Sequence, residues 1–208
     1  VQTCALPIYR HCAVEKLGGF TSSTIEKNNL EKYAVDFATV YNKAWAGHGG
    51  LKQMPPEQAK LLFKKMKPVM DERIVCFAYY KDEPIAIWLN MPDLNQWFKH
   101  LNGKLDLWGK LKFIWVKATK RNKKFTGIIF GIVPEFQRKG VDAFMIMEAA
   151  KVIQEPMLYD DYEMQWIGDF NPKMMNVAAS LGTHISRKLI TYRYIFDRAK
   201  EFKRHPIL

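Results

Sequence analysis

The stretch that most constrains this chain runs from Thr126 to Met147: Thr126-Gly-Ile-Ile-Phe-Gly-Ile-Val-Pro-Glu-Phe-Gln-Arg-Lys-Gly-Val-Asp-Ala-Phe-Met-Ile-Met147. Residues 126–133 form an apolar run with β-branched members. Pro134 opens a turn carrying Gly140, and apolar residues then recur at helical spacing from about Lys139 to Gln154. A buried strand that feeds a helix N-terminus presents several backbone N–H groups without intrahelical acceptors. Such an end is suited to holding an anion.

The flanking elements predict an α/β chain. Leu30, Tyr33, Ala34, Phe37, Val40, Tyr41 and Ala44 share one helical face, with Asn29 as the expected cap and Gly47 to Gly50 as the stop; His48 in that loop is an ordinary exposed histidine. Pro55-Pro56 begins a second helix that ends before Pro68. Ile74–Tyr80 and Pro84–Asn90 flank the turn residues Lys81-Asp-Glu, which predicts a β-hairpin in a sheet covered on both faces. Tyr162–Gly168 alternates as a strand. Asn171 and Pro172 begin a helix that ends at Gly182, and the last strands are expected at 183–189 and 190–196.

With 208 residues, 48% of them hydrophobic, the chain suits one globular core rather than disorder. Cys4, Cys12 and Cys76 show neither even pairing nor metal-ligand spacing, so no metal site is expected and the thiols read as cytoplasmic. No apolar run is long enough to span a membrane. Val1-Gln-Thr-Cys-Ala-Leu-Pro-Ile8 reads like a translated sequencing adapter. Residues 1–8 are therefore taken as a scar, residues 9–208 as one domain, and the chain as an N-terminally truncated fragment with missing upstream sequence.

The formal charge of +11 is concentrated in one place. Between Lys99 and Lys124 stand nine Lys or Arg residues against Asp106 alone. Leu105, Trp108, Leu111, Lys112 and Trp115, with Leu107, Ile114 and Ala118 beside them, predict an amphipathic helix there, interrupted by Gly109. Such a segment suits a membrane surface, a nucleic-acid backbone or a cofactor phosphate. The plainer expectation is a packed connecting helix with a solvated lysine face, and with no RNA-binding motif present nucleic acid ranks last.

Two segments carry a family resemblance. Val133-Pro-Glu-Phe-Gln137-Arg-Lys-Gly140-Val-Asp142 is similar to the strand, Val-x-Pro and Gln/Arg-x-x-Gly-x-Gly/Ala turn of the GNAT acyl-CoA N-acyltransferases. Asn171-Pro-Lys-Met-Met-Asn-Val177-Ala178-Ala-Ser-Leu181-Gly182 follows that family's Asn-x-x-Ala-x-x-Leu helix. The resemblance implies a mixed twisted sheet with helices on both faces and a basic helical insertion, residues 92–124, between the third and fourth strands. It further implies that Ile132 and Val133 bond the pantetheine arm of acetyl-CoA or another acyl-CoA. Gln137, Arg138, Lys139, Gly140, Val141 and Asp142 would wrap the pyrophosphate, and Asn171 would face the cofactor.

The departures from the pattern bear on activity. Arg138 and Asp142 stand where the family prefers small residues, and Asp142 would repel a pyrophosphate. Ala178 takes the slot of the family's usual Tyr general acid. Asp169, just past a strand end, is the candidate base; Glu135, Glu163, His184, Tyr192 and Tyr194 are weaker candidates. The expected function is acyl-CoA-dependent N-acyl transfer to a small-molecule amine. The alternative is a non-catalytic GNAT-like binding or scaffold domain of a longer protein.

Overall fold

The computed structural model describes residues 5–45, 52–154 and 158–204. The Gly47–Gly50 stop, with His48, and Pro156 lie outside them. The chain divides into two compact units, one spanning residues 8–165 and the other holding residues 166–204.

The larger unit is built on five strands: β1 (Phe20–Thr24), β2 (Val75–Tyr80), β3 (Glu83–Pro92), β4 (Lys124–Ile132) and β5 (Asp161–Met164). They lie in the order β1-β2-β3-β4-β5, antiparallel as far as β4 and parallel between β4 and β5. This is the expected mixed sheet. Tyr80 pairs with Glu83, so Lys81 and Asp82 alone turn the hairpin, with φ of 49° and 67°. Two left-handed residues match the twist of the flanking strands.

Helices cover both faces. α1 is Ala5–Leu17, α2 Leu30–Ala44 and α3 Pro56–Met66. The α1 helix starts inside the 1–8 segment read as a scar. Asn29 precedes α2 as expected, but its side chain makes no capping bond, because a 3₁₀ turn over Lys27–Asn29 already leads in. Neighbouring strand residues point to opposite faces. Phe77 meets Tyr33 of α2 (ring centroids 5.4 Å apart), and Phe37 of α2 meets Phe63 of α3 at 5.4 Å. The next residue back, Cys76, lines a cavity on the other face with Met145 and Ala149 of α6 (Val141–Gln154).

The insertion between β3 and β4 contains α4 (Asn95–Phe98) and α5 (Leu107–Thr119). Two expectations change here. Gly109 does not interrupt α5 but lies in its first turn, where its N–H donates to the capping carboxylate of Asp106 at 2.7 Å. A β-carbon on Gly109 would approach the Lys104 carbonyl oxygen to 2.3 Å, so only glycine fits. The helix is also not packed through its Trp and Leu face. Gly109 and Val116 are buried, whereas Leu107, Trp108, Leu111, Ile114 and Trp115 are exposed.

In the smaller unit α7 (Pro172–Ser180) is capped by Asn171, whose side-chain oxygen accepts from the Met174 N–H at 3.1 Å. The strands expected over 183–196 do not form: these residues have no regular structure. Ile185, Tyr192 and Phe196 are exposed. A β-branched, aromatic composition favours a strand only where a neighbouring strand completes the ladder.

Candidate functional site

The site begins with an irregularity in β4. Asn90 of β3 pairs with Gly127, but Leu89 pairs with Ile129, so Ile128 is an extra, bulged residue. Bulges bend a strand and end pairing. On the opposite edge, pairing with β5 runs only from Lys124↔Asp161 to Gly127↔Met164. Beyond Gly127, β4 continues to Ile132 and, among the described residues, pairs there with β3 only.

Backbone direction follows from the register. Val133 N–H donates to the Ile85 carbonyl at 2.9 Å, so Val133 spends its amide on β3. Amides alternate in an antiparallel ladder, so those of Phe130 and Ile132 point away from β3, along the edge that β5 leaves open. Gln137 Nε2 donates to the Ile132 carbonyl at 3.1 Å, tying the turn to the strand end. Of the two strand residues expected to meet a pantetheine arm, Ile132 has the suitable orientation and Val133 N–H does not.

The turn then reverses the chain. Pro134–Phe136 forms a 3₁₀ turn, Arg138 has φ of 61° and Gly140 has φ of 82°. Left-handed residues interleaved with ordinary ones aim neighbouring N–H groups into one concavity, an arrangement that binds anions. Phe144 N–H bonds the Gly140 carbonyl at 2.9 Å, so the amides of Val141, Asp142 and Ala143 precede the helical ladder and point out of its start. Gln137, Arg138 and Lys139 are exposed around this end, with the Lys139 ammonium 5.1 Å from the Phe136 ring centre. Gly140 packs closely on α1, where a β-carbon would lie 3.1 Å from Val14 Cγ2. The residues present fit a bound pyrophosphate through backbone donors and two flanking cations. The Asp142 carboxylate opposes it.

Below the split between β4 and β5 lies an aromatic group that sequence reasoning missed. Trp88 Nε1 donates to the Tyr162 hydroxyl at 3.1 Å, and Phe125 stacks on Tyr162 with centroids 4.6 Å apart. A β-carbon on Gly127 would come within 2.3 Å of the Tyr162 oxygen. Burial pushes the Tyr162 phenol up to about 12, so it keeps its proton at neutral pH and offers it as a donor. Asn90, opposite Gly127, is fully buried, with Nδ2 donating to the Ile74 carbonyl at 2.8 Å and Oδ1 unpartnered. The only sequence signal for this group was Tyr and Trp within apolar runs, which packing explains equally well.

The other candidates are accounted for individually. Asp169 and Asn171 belong to the unit holding 166–204. Asp169 is exposed and ion-paired with Arg204, and Asn171 gives its side-chain oxygen to the α7 cap. Glu163 pairs with Lys124. Glu135, His184, Tyr192 and Tyr194 are exposed, and the Arg198 guanidinium sits over the Tyr194 ring. The ligand-type atoms of His11, Cys12 and Glu15 gather within 4.8 Å, and His11 is held by Glu148 at 2.7 Å.

The comparisons with solved structures decide the fold. The aminoglycoside acetyltransferase meta-AAC0020 from an uncultured soil metagenomic sample, in complex with sisomicin, superposes with a TM-score of 0.54. It covers 86% of this chain and 97% of that one at 10% identity. AAC(6')-Iy, in complex with a CoA-linked bisubstrate analogue, gives 0.53 over 86% and 99% at 11% identity. This is the GNAT fold. No protein-family model matches the chain. Among curated proteins, the bacterial ceramide synthase of Caulobacter vibrioides (strain NA1000 / CB15N) is 25% identical over 185 residues, covering 87% of this chain and 47% of that protein. Protein YghO of Escherichia coli (strain K12) is 19% identical over 175 residues, covering 81% and 45%. The chain thus carries a GNAT fold and spans about half the length of the curated relatives it matches. Among the described residues, no helix is long and apolar enough to cross a membrane.

Proposed function

We propose that this chain is an acyl-CoA-dependent N-acyltransferase. The observation carrying the reading is the continuity of two donor sets: the open edge of β4 at Phe130 and Ile132 runs into the left-handed turn and free amides that begin α6. An extended pantetheine arm suits the first and a pyrophosphate the second. Gln137, Arg138, Lys139, Gly140, Val141 and Asp142 form the phosphate turn, and Asn171 and Asp169 remain candidates from the smaller unit. The thioester supplies an activated acyl group. An amine attacks its carbonyl carbon, the C–S bond breaks, and the amine's proton leaves as the thiol is released. Among the residues described, Tyr162 offers a phenolic proton below the β4 split, and water is left as the base.

Acceptor and acyl length belong to the same proposal. Ceramide is the amide of a long-chain amino alcohol, so the relative of that name favours a long-chain amine acceptor and a longer acyl donor over acetyl transfer. We place the reaction in the cytoplasm, a reading supported by the free thiols of Cys12 and Cys76. The second reading, a domain that binds CoA without turnover, is favoured by Ala178 in place of Tyr and by the Arg204 partner of Asp169.

Calorimetric titration with CoA, acetyl-CoA and a long-chain acyl-CoA, followed by thiol release with short and long amines, tests both. Binding with amine-dependent thiol release supports transfer. Binding without release from any amine selects the second reading. No binding of any CoA species overturns both.

A further inference from the structure

The face of α5 carries five large, exposed hydrophobic side chains. At about 3.6 residues per turn, Leu107, Trp108, Leu111, Ile114 and Trp115 fall on one arc of the helix. Gly109 and Val116, which are buried, and Phe113, which meets the rings of Trp97 and Phe98, fall on the opposite arc. The apolar arc therefore points away from the protein, with Trp108 78% and Trp115 60% exposed. Its borders are basic: exposed Lys110 flanks one side and exposed Lys112 the other, whereas Lys117 turns its ammonium back to the Pro68 carbonyl. Lys104 precedes the helix and Lys120 follows it.

We propose that α5 is an interfacial helix that seats this chain on an anionic lipid bilayer, with the Trp and Leu arc in the acyl boundary and the flanking lysines on the headgroup phosphates. Charge complementarity selects this occupant. A face with an apolar centre and lysines along both margins lets each stem lie along the apolar surface while its ammonium reaches a phosphate plane. Tryptophan is the side chain best suited to that boundary. A protein partner fits less well, because lysine is depleted from protein interfaces. A nucleic-acid backbone would require the cations at the centre of the face rather than at its margins. At 13 residues α5 is too short to cross the bilayer, so it lies in the plane. The inference does not rest on acyl transfer and holds for a non-catalytic domain as well.

The test is flotation of the 208-residue chain with vesicles of phosphatidylcholine alone and vesicles containing one third phosphatidylglycerol, at low and high salt. Light scattering of the free protein accompanies it. The proposal expects binding to the anionic vesicles, weakened by salt, with a blue shift of tryptophan emission that W108F/W115F removes. Trp108→Glu with Trp115→Glu should abolish flotation while leaving the thermal unfolding midpoint unchanged, because both side chains already face solvent. Lys110→Glu and Lys112→Glu should each weaken binding at least fivefold, the factor equal to about 1 kcal/mol per juxtamembrane lysine. Three results would overturn the proposal: no flotation with anionic vesicles, equal binding to neutral vesicles, or a dimer in solution that the Trp108→Glu variant dissociates. The dimer would mean that a second copy covers the face.

Discussion

Trp88 and Tyr162 are joined side chain to side chain, from the third strand across the fourth to the fifth, by a 3.1 Å hydrogen bond. The bond passes Gly127 of β4, which has no side chain to obstruct it. Tyr162→Phe leaves the indole N–H buried without an acceptor and should cost about 1–2 kcal/mol in denaturant unfolding. CoA affinity should be unchanged by this variant, while a fall in kcat at constant KM would mark the phenol as acting on the reacting group. Gly127→Ala should be more damaging, because a β-carbon there displaces the Tyr162 oxygen itself.

Asp142 stands in the first turn of α6, where a carboxylate favours the helix and opposes a bound phosphate. Asp142→Asn should therefore tighten CoA binding about three- to tenfold, as removal of one like charge at a partly screened distance requires. The gain should shrink as salt rises. Calorimetry at two ionic strengths measures both effects, and unchanged affinity would place the pyrophosphate elsewhere.

Gly140 and Arg138 should part company on mutation. Gly140→Ala puts a side chain on a left-handed residue that already touches α1, costing about 1–2 kcal/mol and weakening CoA binding by shifting the turn. Arg138→Gly relieves left-handed strain of about 1 kcal/mol, largely offset by added backbone entropy in the unfolded chain. Its effect should appear in CoA affinity through the lost cation, with the melting temperature nearly unmoved.

Asp71 carries an acid-sensitive contribution to stability. Burial by itself would raise its pKa, but bonds from Arg73 and from the Tyr159 hydroxyl at 2.7 Å outweigh burial and hold it below its ordinary value. A carboxylate depressed in the folded state stabilises fully above its unfolded pKa, and that contribution is lost as pH falls through the folded one. Unfolding free energy should thus decline below about pH 4. Asp71→Asn should lower stability at neutral pH by about 1–3 kcal/mol and flatten that acid limb.

The sequence conveyed the parts of this molecule that rest on local chemistry. Pro134 and Gly140 marked the turn because few other residues adopt its angles, and Lys81-Asp82 marked the hairpin. The α2 helix was legible because seven apolar positions share its inner face. What depends on a neighbour was not legible. An unbroken apolar run from Ile128 to Val133 hides a bulge, since no alternation exists to slip. The direction of the Val133 amide depends on its register with Ile85. In α5 the periodicity defined an apolar face, but Gly109 and Val116, not Trp108 and Trp115, meet the protein. The 183–196 segment has strand composition, but it forms no ladder among the described residues.

The half-accompanied strand β4 has a consequence for solvent exchange. Amides of Lys124 to Gly127 lie between two neighbours, whereas Phe130 and Ile132 point past the end of β5 into an open edge. Deuterium should enter Phe130 and Ile132 orders of magnitude sooner than Phe125 or Gly131, within one continuous strand. A ligand laid along that edge acts as the absent strand, and within β4 its arrival would be read as slowed exchange at those two amides.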